Sequence, residues 1–114
     1  MEKKLIQIIK NLGIQELEGL ETLNLLDGNY LNLECILPNG KTGKILDDTK
    51  TYYACQVHME ETDKCYGVAA DDTMLAVYRY GCNGTDAELV IWKKITIKNR
   101  IKGSHYEFGL DDIR

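Results

Sequence analysis

The feature that most constrains the fold is the stretch Thr73–Lys98, which reads TMLAVYRYGCNGTDAELVIWKKITIK. Two runs rich in apolar and aromatic residues flank Asn83-Gly84. An Asn-Gly pair in that position is typical of a β-hairpin, because a type I′ turn needs φ > 0 at both central residues. A two-residue turn there places Arg79 opposite Glu88, and this charge pairing favours that register over one slipped by a residue.

Both faces of the predicted hairpin are apolar near its centre. In the predicted register Val77 faces Val90 and Leu75 faces Trp92, while a second apolar set lies on the other side. Antiparallel strands usually alternate between apolar and polar residues when one side meets water, so both sides of this hairpin should be covered. We expect a helix to cover part of one side. The strands within residues 20–59, or a second copy of the chain in a symmetric homodimer, should cover the other.

The N-terminal residues Glu2–Leu12 have the spacing of an amphipathic helix. Gly13 suits the left-handed conformation that ends many helices. An isolated helix of this length is marginally stable in water, so we expect it to pack on a sheet. Its predicted apolar stripe, at i, i+3, i+4 and i+7, consists of Leu5, Ile8, Ile9 and Leu12.

Turn signals divide the middle of the chain into short strands. Leu23–Leu26 and Tyr30–Leu37 read as a second hairpin that turns at Asp27-Gly28. Pro38-Asn39-Gly40 predicts a further turn, because proline presets φ at its first central position. The strands predicted after that turn are Thr42–Leu46, Tyr52–Met59 and Cys65–Ala70.

These elements predict an α+β fold. One N-terminal helix packs on a mostly antiparallel sheet of six to seven strands built from hairpins. We expect one globular domain over residues 1–114, with residues 103–114 as a flexible or partner-docking tail. The composition, 44% hydrophobic and 28% charged, is that of an ordinary globular protein.

The N-terminal sequence contains no apolar run of signal-peptide length, and no segment approaches the roughly 20 apolar residues that span a bilayer. We therefore expect a cytoplasmic protein without membrane contact. In that compartment the cysteines should be free thiols. The four cysteines are Cys35, Cys55, Cys65 and Cys82.

The sequence offers few arrangements that suit catalysis or metal binding. Cys55 and His58, with Cys65 and Cys82, could supply four zinc ligands, but positions 55 and 58 of a strand point to opposite faces. The carboxylate pairs fall in predicted loops, where acids are usually solvated, and neither histidine lies in a recognisable nucleophile motif. We expect no metal and no cofactor. A small cysteine- or carboxylate-dependent enzyme is the least favoured interpretation.

Charge is distributed unevenly along the chain, although the net charge is only −4. Residues 11–72 carry twelve acidic and four basic side chains, whereas residues 93–102 carry five basic side chains and no acidic one. The basic stretch lies near aromatic residues of the central hairpin, a mixture suited to stacking on a base and neutralising phosphate. The candidate partner- or ligand-binding residues are Tyr78, Arg79, Tyr80, Trp92, Lys94, Lys98 and Arg100.

Three functional hypotheses follow. The favoured one is a small non-catalytic binding or inhibitor protein that acts on a protein partner. The Lys, Ile and Asn usage and the small acidic format are typical of accessory proteins of phages or mobile elements, including anti-defence proteins. The second is a module that binds or sequesters a small anionic ligand such as a nucleotide, and the third is the small enzyme.

Overall fold

A computed structural model describes residues 1–59, 61–81, 86–99 and 106–108 of the chain. In this part of the chain an N-terminal helix precedes a seven-stranded sheet and a separate pair of strands. The described elements are α1 (Glu2–Lys10), a 3-10 turn (Gln15–Leu17), β1 (Asn24–Asp27), α2 (Gly28–Leu31), β2 (Cys35–Ile36), β3 (Thr42–Gly43), β4 (Thr51–Met59), β5 (Lys64–Ala70), β6 (Met74–Gly81), β7 (Glu88–Lys94), β8 (Ile97–Asn99) and β9 (Tyr106–Phe108).

The sheet confirms the predicted α+β class. Its strands lie in the order β1, β4, β5, β6, β7, β2, β3, and all described pairs are antiparallel except β2 with β7. The four strands β4 to β7 are neighbours in the sheet as well as in the chain, as successive hairpins require. β6 is the central strand, and its residues Met74–Tyr78 are all buried. For β6 this agrees with the prediction that the hairpin lies inside the fold, whereas Val90 and Trp92 of the other hairpin strand, β7, are exposed.

The helix α1 packs its predicted stripe on one face of the sheet. Leu5, Ile8 and Ile9 are buried against Leu75 and Val77 of the central strand. The helix ends at Lys10, two residues before the predicted end. Gly13 has a φ of 83°, so it adopts the left-handed conformation that its sequence position predicted.

The central hairpin keeps the predicted register only near its turn. Arg79 pairs with Glu88 as predicted, but the register shifts by one residue between Tyr78 and Val77. Val77 therefore pairs with Ile91 rather than with Val90, and the predicted pairing of Leu75 with Trp92 is wrong because Leu75 pairs with Lys93. The extra residue on β7 forms a β-bulge, which no local turn signal announces. The turn residues 82–85 lie outside the described residues.

The predicted hairpin at Asp27-Gly28 is wrong. β1 pairs with β4, and Gly28 begins α2 instead of turning the chain back on itself. The amide of Gly28 donates to the carbonyl oxygen of Lys50 at 2.7 Å. A Cβ on Gly28 would collide with the carbonyl oxygen of Asp47. Glycine is needed here for a close approach between two backbone segments and not for a turn.

The turn predicted at Pro38-Asn39-Gly40 is confirmed. Gly40 has a φ of 84°, and its amide donates to the carbonyl oxygen of Leu37 at 2.9 Å. The Asn39 side chain accepts a hydrogen bond from the amide of Lys41 at 2.9 Å. The strand that follows is shorter than predicted, since β3 ends at Gly43.

Two chain segments cross the face of the sheet opposite α1. We call this face the cleft face; it carries Ala76 and Tyr78, whereas the helix face carries Leu75 and Val77. Residues 28–34 cross from β1 at one edge of the sheet to β2 near the other edge, and residues 44–50 return to β4. Leu31, Leu33 and Leu46 of these segments pack in the second hydrophobic cluster. Part of the second face is thus covered by the chain itself; the homodimer stays a prediction.

Asn32 joins the two crossing segments. Its side-chain oxygen accepts from the amide of Leu46 at 3.0 Å, and its side-chain nitrogen donates to the carbonyl oxygen of Leu46 at 2.9 Å. The same nitrogen donates to Asp48 at 2.8 Å. Asn32 is buried, and these hydrogen bonds supply partners for both the oxygen and the nitrogen of its side-chain amide.

Candidate functional site

The structure divides the predicted site residues between the two faces of the sheet. Tyr78 and Tyr80 lie on the cleft face, and the neighbouring Arg79 lies on the helix face, because side chains alternate along a strand. Trp92 and Lys94 pair with Ala76 and Met74, which places them on the cleft face too. Lys98 lies in β8 opposite Glu107, and Arg100 lies outside the described residues.

Arg79 is committed to another partner. Its guanidinium donates to the carboxylate of Glu88 through Nε, at 2.8 Å, and through Nη2. The hydrogen bond to Glu88 raises the pKa of Arg79 above its ordinary value. This is the ion pair that the hairpin register predicted. Arg79 lies on the helix face, so it cannot act together with Tyr78 and Tyr80 on the cleft face.

The cleft face contains a hollow of about 390 Å³ that the two crossing segments leave open. We call it the cleft. Its floor is made of small residues on the two strands beside the centre of the sheet: Ala54, Gly67 and Ala69. Tyr30, Leu31 and Leu33 stand on one side of it, and the other lining residues come from β1, β4, β5 and β6. None of the described residues that line the cleft carries a formal charge.

A tyrosine lies across the glycine of the floor. A Cβ on Gly67 would lie 2.7 Å from Cε1 of Tyr80 and 3.0 Å from its hydroxyl oxygen. The absence of a side chain at Gly67 is therefore what lets the Tyr80 ring lie flat on β5. An aromatic side chain that covers a strand glycine also compensates for the packing that the glycine cannot supply.

Tyr78 lines the cleft, and its buried hydroxyl is unusual. The residue is 3% exposed, and its hydroxyl has no hydrogen-bond partner among the described residues. Burial raises the pKa of Tyr78 well above its ordinary value, with smaller contributions from Cys35 and Tyr52. The hydroxyl is therefore protonated at neutral pH. Buried polar groups nearly always have partners, so this hydroxyl is an exception that calls for an explanation.

A second buried tyrosine shows the ordinary arrangement. Tyr52 is as buried as Tyr78, and both belong to the same hydrophobic cluster. The hydroxyl of Tyr52 accepts a hydrogen bond from the amide of Asp47 at 2.9 Å. The two tyrosines therefore differ in one respect that matters here, which is whether the hydroxyl is satisfied within the chain.

The described cysteines are free thiols, as predicted for Cys35, Cys55 and Cys65, whereas Cys82 lies outside the described residues. Burial raises the pKa of Cys35, and it raises that of Cys55 to about 11. A raised thiol pKa is the opposite of what a nucleophilic cysteine needs. His58 lies on the cleft face of β4 and Cys55 on the helix face. The described residues contain no cluster of three or more metal-ligating side chains.

Asp71 is the one buried acidic residue in the described part of the chain, and its carboxylate is hydrogen-bonded within the fold. Asp71 accepts hydrogen bonds from the amide and hydroxyl of Thr73, each at 2.8 Å, and from the amide of Met74 at 3.0 Å. Lys50 donates to its other oxygen at 3.0 Å. Burial alone would raise the pKa of Asp71, but these hydrogen bonds outweigh burial and lower it. Such a carboxylate stays ionised, unlike a general acid.

Sequence reasoning identified the two tyrosines of the cleft but missed its floor and its cover. Ala54, Gly67 and Ala69 look like ordinary strand residues, and nothing local indicates that two strands place them side by side. Asn32 also escaped notice, although an asparagine between two leucines is a weak signal of a buried amide. The clearest available signal was Gly67, because an isolated glycine inside a strand pattern indicates a close approach.

Comparisons of the chain with protein-family models, with curated proteins and with solved structures found no match. The described residues include no helix that is long and apolar enough to cross a membrane.

Proposed function

We propose that the protein is a small non-catalytic binding protein that acts on a protein partner, and that the cleft receives a group of that partner. The observation that carries the proposal is the cleft itself. It has the size and the mainly apolar lining of a binding pocket, with a few polar groups on its walls. An inhibitor that binds and blocks another protein needs such a recess or a matching protrusion, and it needs no catalytic group.

Exposed aromatic residues on the cleft face support this proposal. Tyr30 is 76% exposed at the side of the cleft, and Trp92 is 45% exposed on the same face of the sheet. Tyrosine and tryptophan are the residues most enriched where protein interfaces derive most of their binding energy.

The chemistry of the described side chains also favours binding over catalysis. The thiols of Cys35 and Cys55 have raised pKa values, and the Asp71 carboxylate has a lowered one. A cysteine nucleophile would need a lowered pKa, and a carboxylic general acid a raised one. These shifts run against the enzyme hypothesis at each of the three groups.

The nucleotide hypothesis gains less support from the cleft. A phosphate entering it would lose water without meeting a cation, because the described lining is uncharged. An anionic ligand would instead have to use the basic stretch of residues 93–102. That alternative therefore concerns another surface.

A capture experiment with a matched pair of variants tests the proposal. Gln56 and His58 are both exposed positions on the cleft face of β4, but only Gln56 lines the cleft. We expect Gln56→Arg to block the mouth of the cleft and His58→Arg to leave it open. Wild-type protein immobilised in a bacterial lysate should retain one saturable protein partner, which should be lost with Gln56→Arg and kept with His58→Arg. Equal retention by all three proteins would contradict the proposal.

A further inference from the structure

The uncharged lining of the cleft restricts what can enter it. Its described walls are formed largely by leucine and tyrosine side chains, with the amides of Asn24 and Gln56 at the rim. Gln56 donates a hydrogen bond to the sulfur of Cys65 at 3.2 Å, so one of these amides is partly engaged. A carboxylate or phosphate would be desolvated there without a counter-charge, which is strongly unfavourable. A neutral and mainly apolar group would meet no such penalty.

The hydroxyl of Tyr78 adds a specific requirement. It is enclosed and has no partner among the described residues, while the comparable hydroxyl of Tyr52 has one. A hydroxyl can donate one hydrogen bond, and that of Tyr78 has a proton to donate because the group is not ionised at neutral pH. An acceptor atom brought by an occupant of the cleft would satisfy it.

A short element packs in the same cluster as Tyr78. The oxygen of Tyr78 has almost no surface open to solvent, so an occupant reaches it only by moving residues that cover it. Leu31 and Leu33 pack in the same cluster as Tyr78 and also line the cleft. Leu31 ends α2, which has four residues and depends on tertiary packing for its stability. This short element can shift more easily than the strands of the floor.

We propose that the cleft binds an uncharged, mainly apolar group that carries one hydrogen-bond acceptor, such as an apolar side chain of a protein partner with its backbone carbonyl, and that the Tyr78 hydroxyl donates to this acceptor. This inference rests on the proposed function, since the group belongs to whatever the protein binds. It adds the chemical class of the group and names the residue that selects it.

Three small probes of similar size test this chemistry. Acetophenone carries a neutral acceptor, ethylbenzene has nearly the same shape without one, and benzoate carries a charge. Binding is measured by titrating each probe into ¹⁵N-labelled protein and following the amide signals of Ala54, Gly67 and Ala69. We expect wild-type protein to bind acetophenone roughly fivefold to tenfold more tightly than ethylbenzene, because one hydrogen bond separates the two probes. Benzoate should bind more weakly than either.

The variant Tyr78→Phe removes the donor and keeps the ring. It should bind ethylbenzene as the wild type does and should lose the preference for acetophenone, while Tyr52→Phe should keep that preference. Equal binding of acetophenone and ethylbenzene by the wild type would overturn the inference without any variant. The same preference in Tyr78→Phe, or tightest binding of benzoate, would overturn it as well.

The outcomes separate this inference from the proposed function. If the partner is captured in a Gln56-dependent way but the probes show no preference for an acceptor, the inference fails and the binding function stands. If the probes show the expected preference but Gln56→Arg captures the partner normally, the protein-binding proposal fails and the cleft is a small-ligand site.

Discussion

Single residues carry much of what distinguishes this protein, and the pair Tyr78 and Tyr52 shows how. The two side chains are equally buried in one cluster, yet the hydroxyl of Tyr52 has a backbone partner and that of Tyr78 has none. A buried hydroxyl without a partner destabilises the folded state, because it has lost its hydrogen bonds to water. A group that lowers stability fits a binding site better than a structural core.

The first prediction concerns these two hydroxyls. Tyr78→Phe should raise the free energy of unfolding by about 1 kcal/mol, because it removes an unsatisfied polar group, and Tyr52→Phe should lower it by about 1 kcal/mol. Urea unfolding followed by circular dichroism measures both changes. A loss of stability in Tyr78→Phe equal to that in Tyr52→Phe would show that the Tyr78 hydroxyl is satisfied in solution.

A second prediction concerns Asp71. Its pKa is lowered in the folded state, so its stabilising effect is present above the unfolded pKa of about 3.9 and is lost as the pH falls through the lower folded value. Asp71→Asn should therefore cost roughly 1–3 kcal/mol at neutral pH, since hydrogen bonds to a buried charge are lost. The cost should shrink below about pH 4.

The neighbouring Asp72 provides the control for that experiment. Asp72 is exposed, and Asp72→Asn should change the free energy of unfolding by less than about 0.5 kcal/mol. Unfolding curves at several pH values between neutral and acidic conditions make the comparison. A pH-independent cost of Asp71→Asn would indicate that the shape of the residue matters, and not its charge.

At the scale of elements, the crossing segments decide how the cleft face is closed. Residues 28–34 and 44–50 are held to one another by Asn32 and at Gly28, where their two backbones come into contact. Neither segment has much regular structure of its own, so their position depends on these few contacts. The shape of the cleft depends on them in turn.

The third prediction tests the contact at Gly28. Gly28→Ala should lower the free energy of unfolding by about 3 kcal/mol or more, because the added Cβ would collide with the carbonyl oxygen of Asp47 and lie 3.0 Å from that of Lys50. The matched control is Gly19→Ala, since nothing lies within 4 Å of a Cβ at that position. Thermal unfolding distinguishes the two variants, and a similar small effect in both would contradict the close approach.

At the scale of the whole molecule, apolar surface remains exposed on two neighbouring strands. Ile36 of β2, and Val90 and Trp92 of β7, are each at least 40% exposed, and β2 pairs with β7. The β-bulge contributes to this, because it places one more residue on β7 than its partner strand can pair. Ile36 pairs with Glu88 on the helix face and Trp92 lies on the cleft face, so the prediction of a homodimer rests on separate exposed side chains and not on one continuous patch.

The fourth prediction is that the protein forms a symmetric homodimer at micromolar concentration. Sedimentation should give twice the chain mass of 13.0 kDa, and Val90→Lys should shift the protein towards the monomer. The matched control is Leu25→Lys, since Leu25 is also exposed but lies on β1 at the other edge of the sheet. A wild-type monomer would mean that the chain covers its own core sufficiently.

The fifth prediction addresses the basic stretch of residues 93–102. If an anion binds there, reversing Lys94 and Lys98 to glutamate should abolish nucleotide binding without unfolding the protein, since binding to a charged surface depends on those charges. A thermal-shift panel of nucleotides measures this, and circular dichroism verifies the fold. Stabilisation by a nucleotide that survives the reversal would show that the basic stretch is only a solvated surface.

The sequence by itself determined the elements whose signals are local. The stripe of Leu5, Ile8 and Ile9 defined α1, the turn at Gly40 joined β2 to β3, and the pairing of Arg79 with Glu88 followed from the hairpin. Each of these depends on periodicity or on backbone conformation within a few residues, and both can be read from the chain. For the candidate site, local reading identified Tyr78 and Tyr80 as neighbours on one face.

Only the tertiary structure decided the features that depend on residues distant in the chain. Gly28 looks like a turn glycine in the sequence, and the reason for it is the backbone of residues 47–50. The bulge at Val90 moved Trp92 away from Leu75, because a strand pattern of period two reads equally well with one residue inserted. The floor of the cleft joins Ala54 to Ala69, and Asn32 holds its cover. These contacts form between segments that are distant in the chain, so the sequence pattern of any one segment does not predict them.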